Sequence, residues 1–324
     1  LMIGTFHSVC AQILRKHAEL LGLKSNFTIL GMDDQLRLLK QVLAAANLDE
    51  KRWPARVLSS LVQRWKDRGL TPDEVSASET FEFAGGKGPK LYALYQERLK
   101  ALNAVDFGDL ILHCLTLFTE HEDELQNWQR RFRYLLVDEY QDSNVAQYLW
   151  LRLLAKGSGN LCVVGDDDQS IYGWSGADIS NILEFESHYT NAKIVRLEQN
   201  YSSTKQILAF ADQLIRDNTQ RKHKELWTEN PTGEPGRLVR CQDEREEAHW
   251  VVHQFHELHK KGMAWSEMAV FYRVNSLSRV IEDAMRTQRI PYQIVRGTAF
   301  YERKEVKDAA VSYTHLTLPT ILLV

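Results

Sequence analysis

Two stretches decide the fold of this chain: RYLLVDEYQD at residues 133–142 and NLCVVGDDDQSIYGWSGAD at residues 160–178. Each begins as a short apolar run, which is typical of a buried strand, and each then runs into carboxylates. The sequence between them, NVAQYLWLRLLAK, has helical spacing. Two strands joined by a helix indicate a parallel sheet with a crossover connection. Ligands of such sheets bind beyond the carboxyl ends of the strands, where both acidic clusters fall.

The same patterns of apolar spacing and turn residues predict the remaining elements. Residues 5–21 have the spacing of an amphipathic helix, and residues 24–104 read as a helical subdomain with a polar, Gly-rich connector, SASETFEFAGGKGPK. Further helices are predicted at 203–217 and 276–288. Strands are predicted at 192–201, 268–273 and 292–295.

Composition excludes several classes of protein. The 324 residues suffice for about two domains with cores of their own. They contain no apolar run of about twenty residues, and the N-terminus lacks the order of a signal peptide, so we expect no membrane association. The cysteines are far apart and form no CxxC pair, which argues against a zinc site or a disulfide framework: Cys10, Cys114, Cys162 and Cys241. The default compartment is therefore a reducing cytoplasm.

The paired acids Asp138 and Glu139 follow the first predicted strand. An aspartate in this place can hold a hydrated Mg²⁺ that neutralises nucleotide phosphates, and a neighbouring glutamate can activate water. The alternative is that both are solvated acids at the start of the next helix. For an isolated pair, that alternative would be favoured.

The loop after the second strand changes this weighing. Gln169 is an uncharged donor and acceptor suited to sensing a terminal phosphate, and Tyr172 and Trp174 place large rings in a polar segment. Unpaired bases stack on such rings for roughly 1–3 kcal/mol each. The alternative is that both rings pack into the core. Since the net charge is only −3, binding of nucleic acid requires a local groove.

Seven motifs occur in order: TFHSVCAQILR, DFGDLI, LLVDEYQD, VVGDDDQSIYGWSGAD, RLEQNYSSTKQIL, DEREEAHWVV and YRVNSLSRVIEDAM. Together they resemble superfamily 1 DNA helicases of the UvrD/PcrA/Rep type over residues 1–310. The resemblance implies an α/β fold: a RecA-like P-loop NTPase parallel sheet with a helical insertion, and the start of a second RecA-like domain. The implied ranges are 1–23 with 105–197 for the first motor domain, 24–104 for the insertion and 198–310 for the second domain.

The resemblance also implies roles for particular residues. Asp138 would coordinate Mg²⁺, Glu139 would be the catalytic base and Gln169 would sense the γ-phosphate of ATP. Tyr201 would stack on adenine. The residues implied to contact single-stranded DNA are His7, Phe107, Tyr172, Trp174 and Ser175.

Three features depart from the family pattern. No GxxxxGK[ST] phosphate loop is present, so we expect a fragment that lacks this loop and the later motor motifs. Ser175 stands where the family has an arginine next to its DNA-contacting ring. Ser202, at the nucleotide-binding position, replaces the arginine that contacts the γ-phosphate, a residue worth orders of magnitude in rate.

The last residues, 311–324, resemble translated sequencing-adapter sequence and are expected to be non-native; the alternative is an apolar C-terminal strand.

Two functions are consistent with these observations. The first is part of an ATP-dependent 3′→5′ DNA helicase that acts on single-stranded and 3′-tailed duplex DNA, with repair or replication proteins as possible partners. This fragment alone is expected not to unwind DNA. The second is a single-stranded DNA-binding module with impaired ATP hydrolysis, which Ser175 and Ser202 motivate. A helicase–nuclease fusion would need a nuclease cluster outside the chain.

Overall fold

A computed structural model describes residues 1–75 and 83–295 of the chain. Four short strands lie in this part: β1 (Thr28–Ile29), β2 (Ala104–Val105), β3 (Leu135–Val137) and β4 (Leu161–Val163). The α-helices are α1 (Phe6–His17), α2 (Met32–Ala45), α3 (Ala55–Asp67), α4 (Gly88–Ala101), α5 (Phe107–Glu120), α6 (Glu122–Arg131), α7 (Val145–Ala155), α8 (Ser180–Leu183), α9 (Phe185–His188), α10 (Lys205–Ile215), α11 (Glu244–Lys260) and α12 (Ser278–Thr287).

The strands β3 and β4 pair in parallel, with Leu135 opposite Leu161 and Val137 opposite Val163. Helix α7 lies between them in sequence, so the predicted pair of parallel strands with a helical crossover is confirmed. Two further backbone hydrogen bonds extend the pairing, from Val164 N to Val137 O (2.8 Å) and from Tyr140 N to Val164 O (3.0 Å). This extension holds the two acidic segments beside each other.

Three predicted strands are wrong. Residues 192–201, 268–273 and 292–295 form no strand, and residue 199 makes only an isolated bridge, to Trp227. An extended segment becomes a strand only when a second segment satisfies its backbone groups, and no described segment pairs with these along their length. The described chain is therefore mostly helical with small parallel sheets. The predicted helices at 203–217 and 276–288 are confirmed as α10 and α12.

The first hydrophobic core lies around α1, α5 and α7. Helix α1 begins after Thr5, whose hydroxyl accepts from Ser8 N, and α5 begins with a capping box in which Asp106 and Asp109 each accept from the other's N–H. Such caps satisfy amide groups that a helix start leaves unpaired. The aromatic side chains of this core are Phe27, Phe118, Trp128, Tyr140 and Trp150, and Ile13 and Leu14 of α1 pack in the same core.

The helices α2, α3 and α4 enclose a second core of their own, built on leucines and on Trp65, Tyr92 and Tyr95. The strands β1 and β2 lie at the two ends of this helical segment and pair in parallel, with Thr28 opposite Ala104. Entry and exit of the segment thus lie side by side, as an insertion into another domain requires.

The chain divides into two compact units, Leu1–Glu234 and Pro235–Val324. In the second unit, α11 and α12 pack around a small core of Ala248, Val252, Ala284, Met285 and Ile290. Part of the predicted connector and the predicted non-native tail, 311–324, lie outside the described residues. Within the described ranges, no helix is both long and apolar enough to cross a membrane.

Candidate functional site

The chain turns sharply where β3 ends. Glu139 has a φ of 52°, in the left-handed region that a residue with a side chain rarely adopts, and its N–H donates to Asp138 Oδ1 at 3.0 Å. Both carboxylates are exposed. Backbone strain of this kind is concentrated at functional sites. The turn presents two adjacent carboxylates beyond the carboxyl end of the parallel pair.

Gln141 joins the two strand ends, although the sequence analysis did not single it out. Its side chain is buried; Nε2 donates to Glu139 Oε2 at 2.7 Å, and Oε1 accepts from Asp166 N at 2.9 Å. The only signal in the sequence was its place in the LLVDEYQD motif. Gln141 orients the Glu139 carboxylate and fixes it to the second acidic segment.

Gly165 permits this close approach. A Cβ atom at this position would lie 2.6 Å from Gln141 Oε1 and 3.2 Å from Tyr140 N. The second of these is backbone and cannot move aside without disturbing the strand pairing. A larger residue would therefore push the two strand ends apart.

Asp166 organises the loop that follows. Its carboxylate accepts from Asp168 N at 3.0 Å and from Gln169 Nε2 at 2.8 Å. Burial raises the pKa of Asp166, but hydrogen bonds from Lys224 and Gln169 outweigh burial and hold it below its usual range. A continuous hydrogen-bond path thus runs from Glu139 through Gln141 and Asp166 to Gln169, and brings these predicted site residues together.

A basic segment at residues 221–224 holds the acidic loop, and the sequence analysis did not predict it. Arg221 makes two hydrogen bonds to Asp168, Nε to Oδ1 and Nη2 to Oδ2, both 2.8 Å long. Lys224 Nζ contacts the carboxylates of Asp166 and Asp168. The partners are more than 50 residues apart in sequence, so no local pattern could have revealed them.

The aromatic residues of the loop are exposed. The Trp174 side chain is 75% exposed and Tyr172 is 43% exposed, with ring centroids 6.2 Å apart and planes inclined by 46°. The alternative in which both rings fill the core therefore does not hold for Trp174. Ser175 is exposed beside it. Removing the apolar surface of an indole ring from water is favourable. The exposed Trp174 ring can therefore gain free energy by stacking on a ligand.

The loop also contacts the end of α3. Gly176 has a φ of 89°, and a Cβ there would lie 2.7 Å from Asp67 Oδ2. Asp67 accepts from Gln63 and from Asn144, which caps α7, and burial raises its pKa. The aromatic loop therefore packs against the end of α3.

His7 and Phe107 form a second aromatic pair. Their ring centroids are 6.0 Å apart in an edge-to-face arrangement, and Phe107 is 53% exposed. Burial lowers the pKa of His7, so the imidazole is neutral near pH 7. The two predicted DNA-contacting residues on α1 and α5 thus lie together.

A buried ionic cluster lies at the start of α5, the helix that carries Phe107, and the sequence analysis missed it. Lys66 on α3 is fully buried; its Nζ lies 2.6 Å from Asp106 Oδ2 and 2.7 Å from Asp109 Oδ1. The Tyr95 hydroxyl donates to Asp106 at 3.1 Å. Asp106 caps the helix on which Phe107 is the first residue, so the cluster connects α3 to the start of α5.

Tyr201 and Ser202 lie apart from these groups. Tyr201 is 78% exposed and its hydroxyl donates to Gln199 Oε1 at 2.9 Å, while Ser202 N donates to Asn200 Oδ1 at 3.1 Å. Among the described residues, no hydrogen bond or ring contact joins them to Asp138 or Gln169.

No group of three or more His, Cys, Asp or Glu side chains in the described ranges could enclose a metal ion. Mg²⁺ does not require such a cage, because it keeps several waters and binds through one or two carboxylates plus substrate phosphates. The exposed carboxylate of Asp138, at the end of a parallel strand, fits that requirement.

Comparisons with known proteins identify the family of this chain. Residues 1–190 match the UvrD/REP helicase N-terminal domain, and residues 195–318 match the UvrD-like helicase C-terminal domain. The chain is 44% identical over 306 residues to the ATP-dependent DNA helicase PcrA of Staphylococcus epidermidis, covering 94% of this chain and 42% of that protein.

Two further relatives come from Rickettsia. A probable DNA helicase II homolog of Rickettsia felis is 41% identical over 321 residues, covering 98% of this chain and 49% of the relative. The DNA helicase II of Rickettsia typhi is 41% identical over 320 residues, covering 98% and 48% respectively. The chain therefore spans less than half the length of these relatives. From the matches to both of its domain models, the chain belongs to the UvrD/REP helicase family.

Proposed function

We propose that this chain is part of an ATP-dependent DNA helicase that moves 3′→5′ on single-stranded DNA and opens 3′-tailed duplexes during repair or replication. The observation that carries the proposal is the hydrogen-bond path from Glu139 through Gln141 and Asp166 to Gln169. The exposed Tyr172 and Trp174 follow within five residues of Gln169. Gln169, the proposed nucleotide sensor, is thus close in sequence to Tyr172 and Trp174, the rings proposed to stack on DNA.

The proposed architecture is a RecA-like motor domain, residues 1–23 and 105–197, with residues 24–104 as a helical insertion. The start of a second RecA-like domain would follow at 198–310. The parallel pair β3–β4 and the separate core of α2, α3 and α4 support this division.

Each acid at the end of β3 has a distinct proposed role. Asp138 would hold Mg²⁺, which supplies charge neutralisation at the nucleotide phosphates. Glu139 would take a proton from the attacking water, and Gln141 keeps that carboxylate oriented through its 2.7 Å hydrogen bond. Gln169 would contact the γ-phosphate, and Tyr201 would stack on the adenine.

The DNA-contacting groups are proposed to be the two aromatic pairs. Trp174 with Tyr172, and Phe107 with His7, present exposed ring surface for unpaired bases. Stacking tolerates any base sequence, which suits a protein that moves along DNA.

The direct test is Glu139→Gln in a longer polypeptide that contains this chain and the complete motor. We expect DNA-stimulated ATP hydrolysis to fall by about 10²–10⁴-fold, the usual contribution of a general base, while binding of single-stranded DNA persists. Glu184→Gln, an exposed acid outside the path, is the matched control and should leave hydrolysis unchanged. Equal hydrolysis by both variants would contradict the assigned role.

A second candidate function is a single-stranded DNA-binding module that hydrolyses ATP poorly. Ser175 and Ser202 favour it, because neither can supply a cation to a phosphate. Both side chains are exposed, so nothing in the fold prevents an arginine there. The variant Ser202→Arg separates the two candidates.

A further inference from the structure

The three successive aspartates of the loop serve a different purpose from the pair at the end of β3. Asp166, Asp167 and Asp168 all accept hydrogen bonds from the segment 221–224. Asp167 Oδ2 accepts from the backbone N–H of Lys222 at 2.7 Å, and the other two carboxylates meet Arg221 and Lys224. These three aspartates therefore anchor the loop 165–178 to the segment 221–224.

The ion pairs of this contact are largely removed from water. The side chains of Arg221 and Asp168 are only 10% and 13% exposed, and that of Lys224 is 16% exposed. A bidentate arginine–carboxylate pair fixes orientation as well as distance, and it is stronger than a neutral hydrogen bond. Exposed ion pairs, by contrast, contribute little.

The contact reaches the predicted phosphate sensor. Lys224 Nζ contacts Asp166 Oδ1, and Asp166 Oδ2 accepts from Gln169 Nε2 at 2.8 Å. The direction of the Gln169 amide thus depends on a carboxylate that Lys224 holds. Without the bases, three carboxylates would also repel an approaching polyphosphate.

The two sides of the contact lie in different parts of the family match. The loop falls in the part that matches the helicase N-terminal domain, and the segment 221–224 falls in the part that matches the C-terminal domain. We propose that Arg221 and Lys224 are positioning residues. Their ion pairs fix the conformation of the loop 165–178, and with it the orientation of Gln169 and Trp174, so the loop depends on the segment that follows α10. This inference rests on the proposed function for what Gln169 and Trp174 do.

The test compares Arg221→Ala and Lys224→Met with Lys222→Met in the 324-residue chain. Lys222 is the matched control, because its ammonium pairs with Glu186 at 2.7 Å while only its backbone N–H serves the loop. We expect amide hydrogen exchange in residues 165–178 to accelerate about tenfold in the first two variants, as expected for losing a charge-assisted hydrogen bond. Exchange in Lys222→Met should match that of the wild type. Exchange in Arg221→Lys should lie between that of the wild type and that of Arg221→Ala.

A second readout distinguishes positioning from simple structural support. A single-stranded oligonucleotide carrying 2-aminopurine reports base stacking by its fluorescence. We expect Arg221→Ala and Lys224→Met to reduce the quench at saturating protein, whereas a lost phosphate contact would weaken affinity and leave the saturated quench unchanged.

The outcomes separate the two proposals. Unchanged exchange in both variants, or equal acceleration in Lys222→Met, would overturn the positioning role, as would a saturated quench equal to that of the wild type. If the wild-type chain quenches no 2-aminopurine while exchange responds as expected, the loop contact stands and the proposed DNA function fails.

Discussion

At the scale of single residues, the site depends on partners that lie far away in sequence. The identity of Asp138, Glu139 and Gln169 as candidates follows from acids and an amide at predicted strand ends. Gln141 and Arg221 could not be found in this way, because each acts through a contact that only the fold creates. Trp174 is the intermediate case: a ring in a polar loop is informative, and its 75% exposure removes the core alternative.

Ser202 offers a prediction at this scale. In a longer polypeptide with the complete motor, Ser202→Arg should raise ATP hydrolysis by about 10³-fold or more if the chain is a hydrolysis-impaired module, since a phosphate-contacting arginine contributes about 10³–10⁵. Steady-state hydrolysis with saturating single-stranded DNA measures this. Ser203→Arg, one residue further, is the control and should have no such effect. A parent that is already fully active before substitution would contradict the impaired-module reading.

At the scale of elements, apolar runs predicted β3 and β4 correctly, because these two segments pair with each other in parallel. The same kind of run at 192–201 gives no strand, because pairing depends on a second segment that a local pattern does not specify. Helices at 203–217 and 276–288 were predictable since their hydrogen bonds are internal. The Lys66 cluster escaped prediction because 40 residues separate Lys66 from Asp106.

Lys66→Met tests the link between α3 and the start of α5. Removing one partner leaves buried carboxylates uncompensated, so the free energy of unfolding should fall by about 3–5 kcal/mol at pH 7. Denaturant titration followed by circular dichroism measures it. Lys40→Met, which breaks the exposed pair with Glu50, is the control and should cost less than about 1 kcal/mol. A similar loss in both variants would contradict a special role for the cluster.

The same cluster predicts a pH dependence. Burial raises the pKa of Asp109, but Lys66, together with His113 and a hydrogen bond from the Asp106 backbone, outweighs burial and lowers it to about 2 from an ordinary value of 3.8. Burial and the Asp109 charge raise the pKa of Asp106, so Asp109 is the carboxyl whose charge Lys66 holds in the folded state. A carboxyl with a lowered pKa stabilises the fold above pH 3.8, and this contribution is lost as pH falls from 3.8 toward 2. In Lys66→Met the carboxylates can instead take up protons. The stability difference between wild type and variant should therefore shrink below pH 4, and a difference that grows there would contradict the assignment.

At the scale of the whole molecule, net charge does not account for the proposed binding of DNA. The net charge is −3, so the proposed affinity has to come from the exposed rings and from local groups rather than from a general attraction to phosphate. Both aromatic pairs lie in the unit Leu1–Glu234, and each is close to helix α3, through Asp67 for the Trp174 loop and through Lys66 for Phe107. We propose that this unit holds unpaired bases by stacking.

Titration of the chain into single-stranded DNA labelled with 2-aminopurine measures this stacking. We expect quenching by the wild type and a weaker affinity in Trp174→Ala, by about 5- to 150-fold, which corresponds to roughly 1–3 kcal/mol for one stacked base. Trp250→Ala, a partly exposed tryptophan on α11 outside the proposed track, should bind within about twofold of the wild type, as surface substitutions away from a contact do. No quenching by the wild type, or equal losses in the two variants, would contradict it.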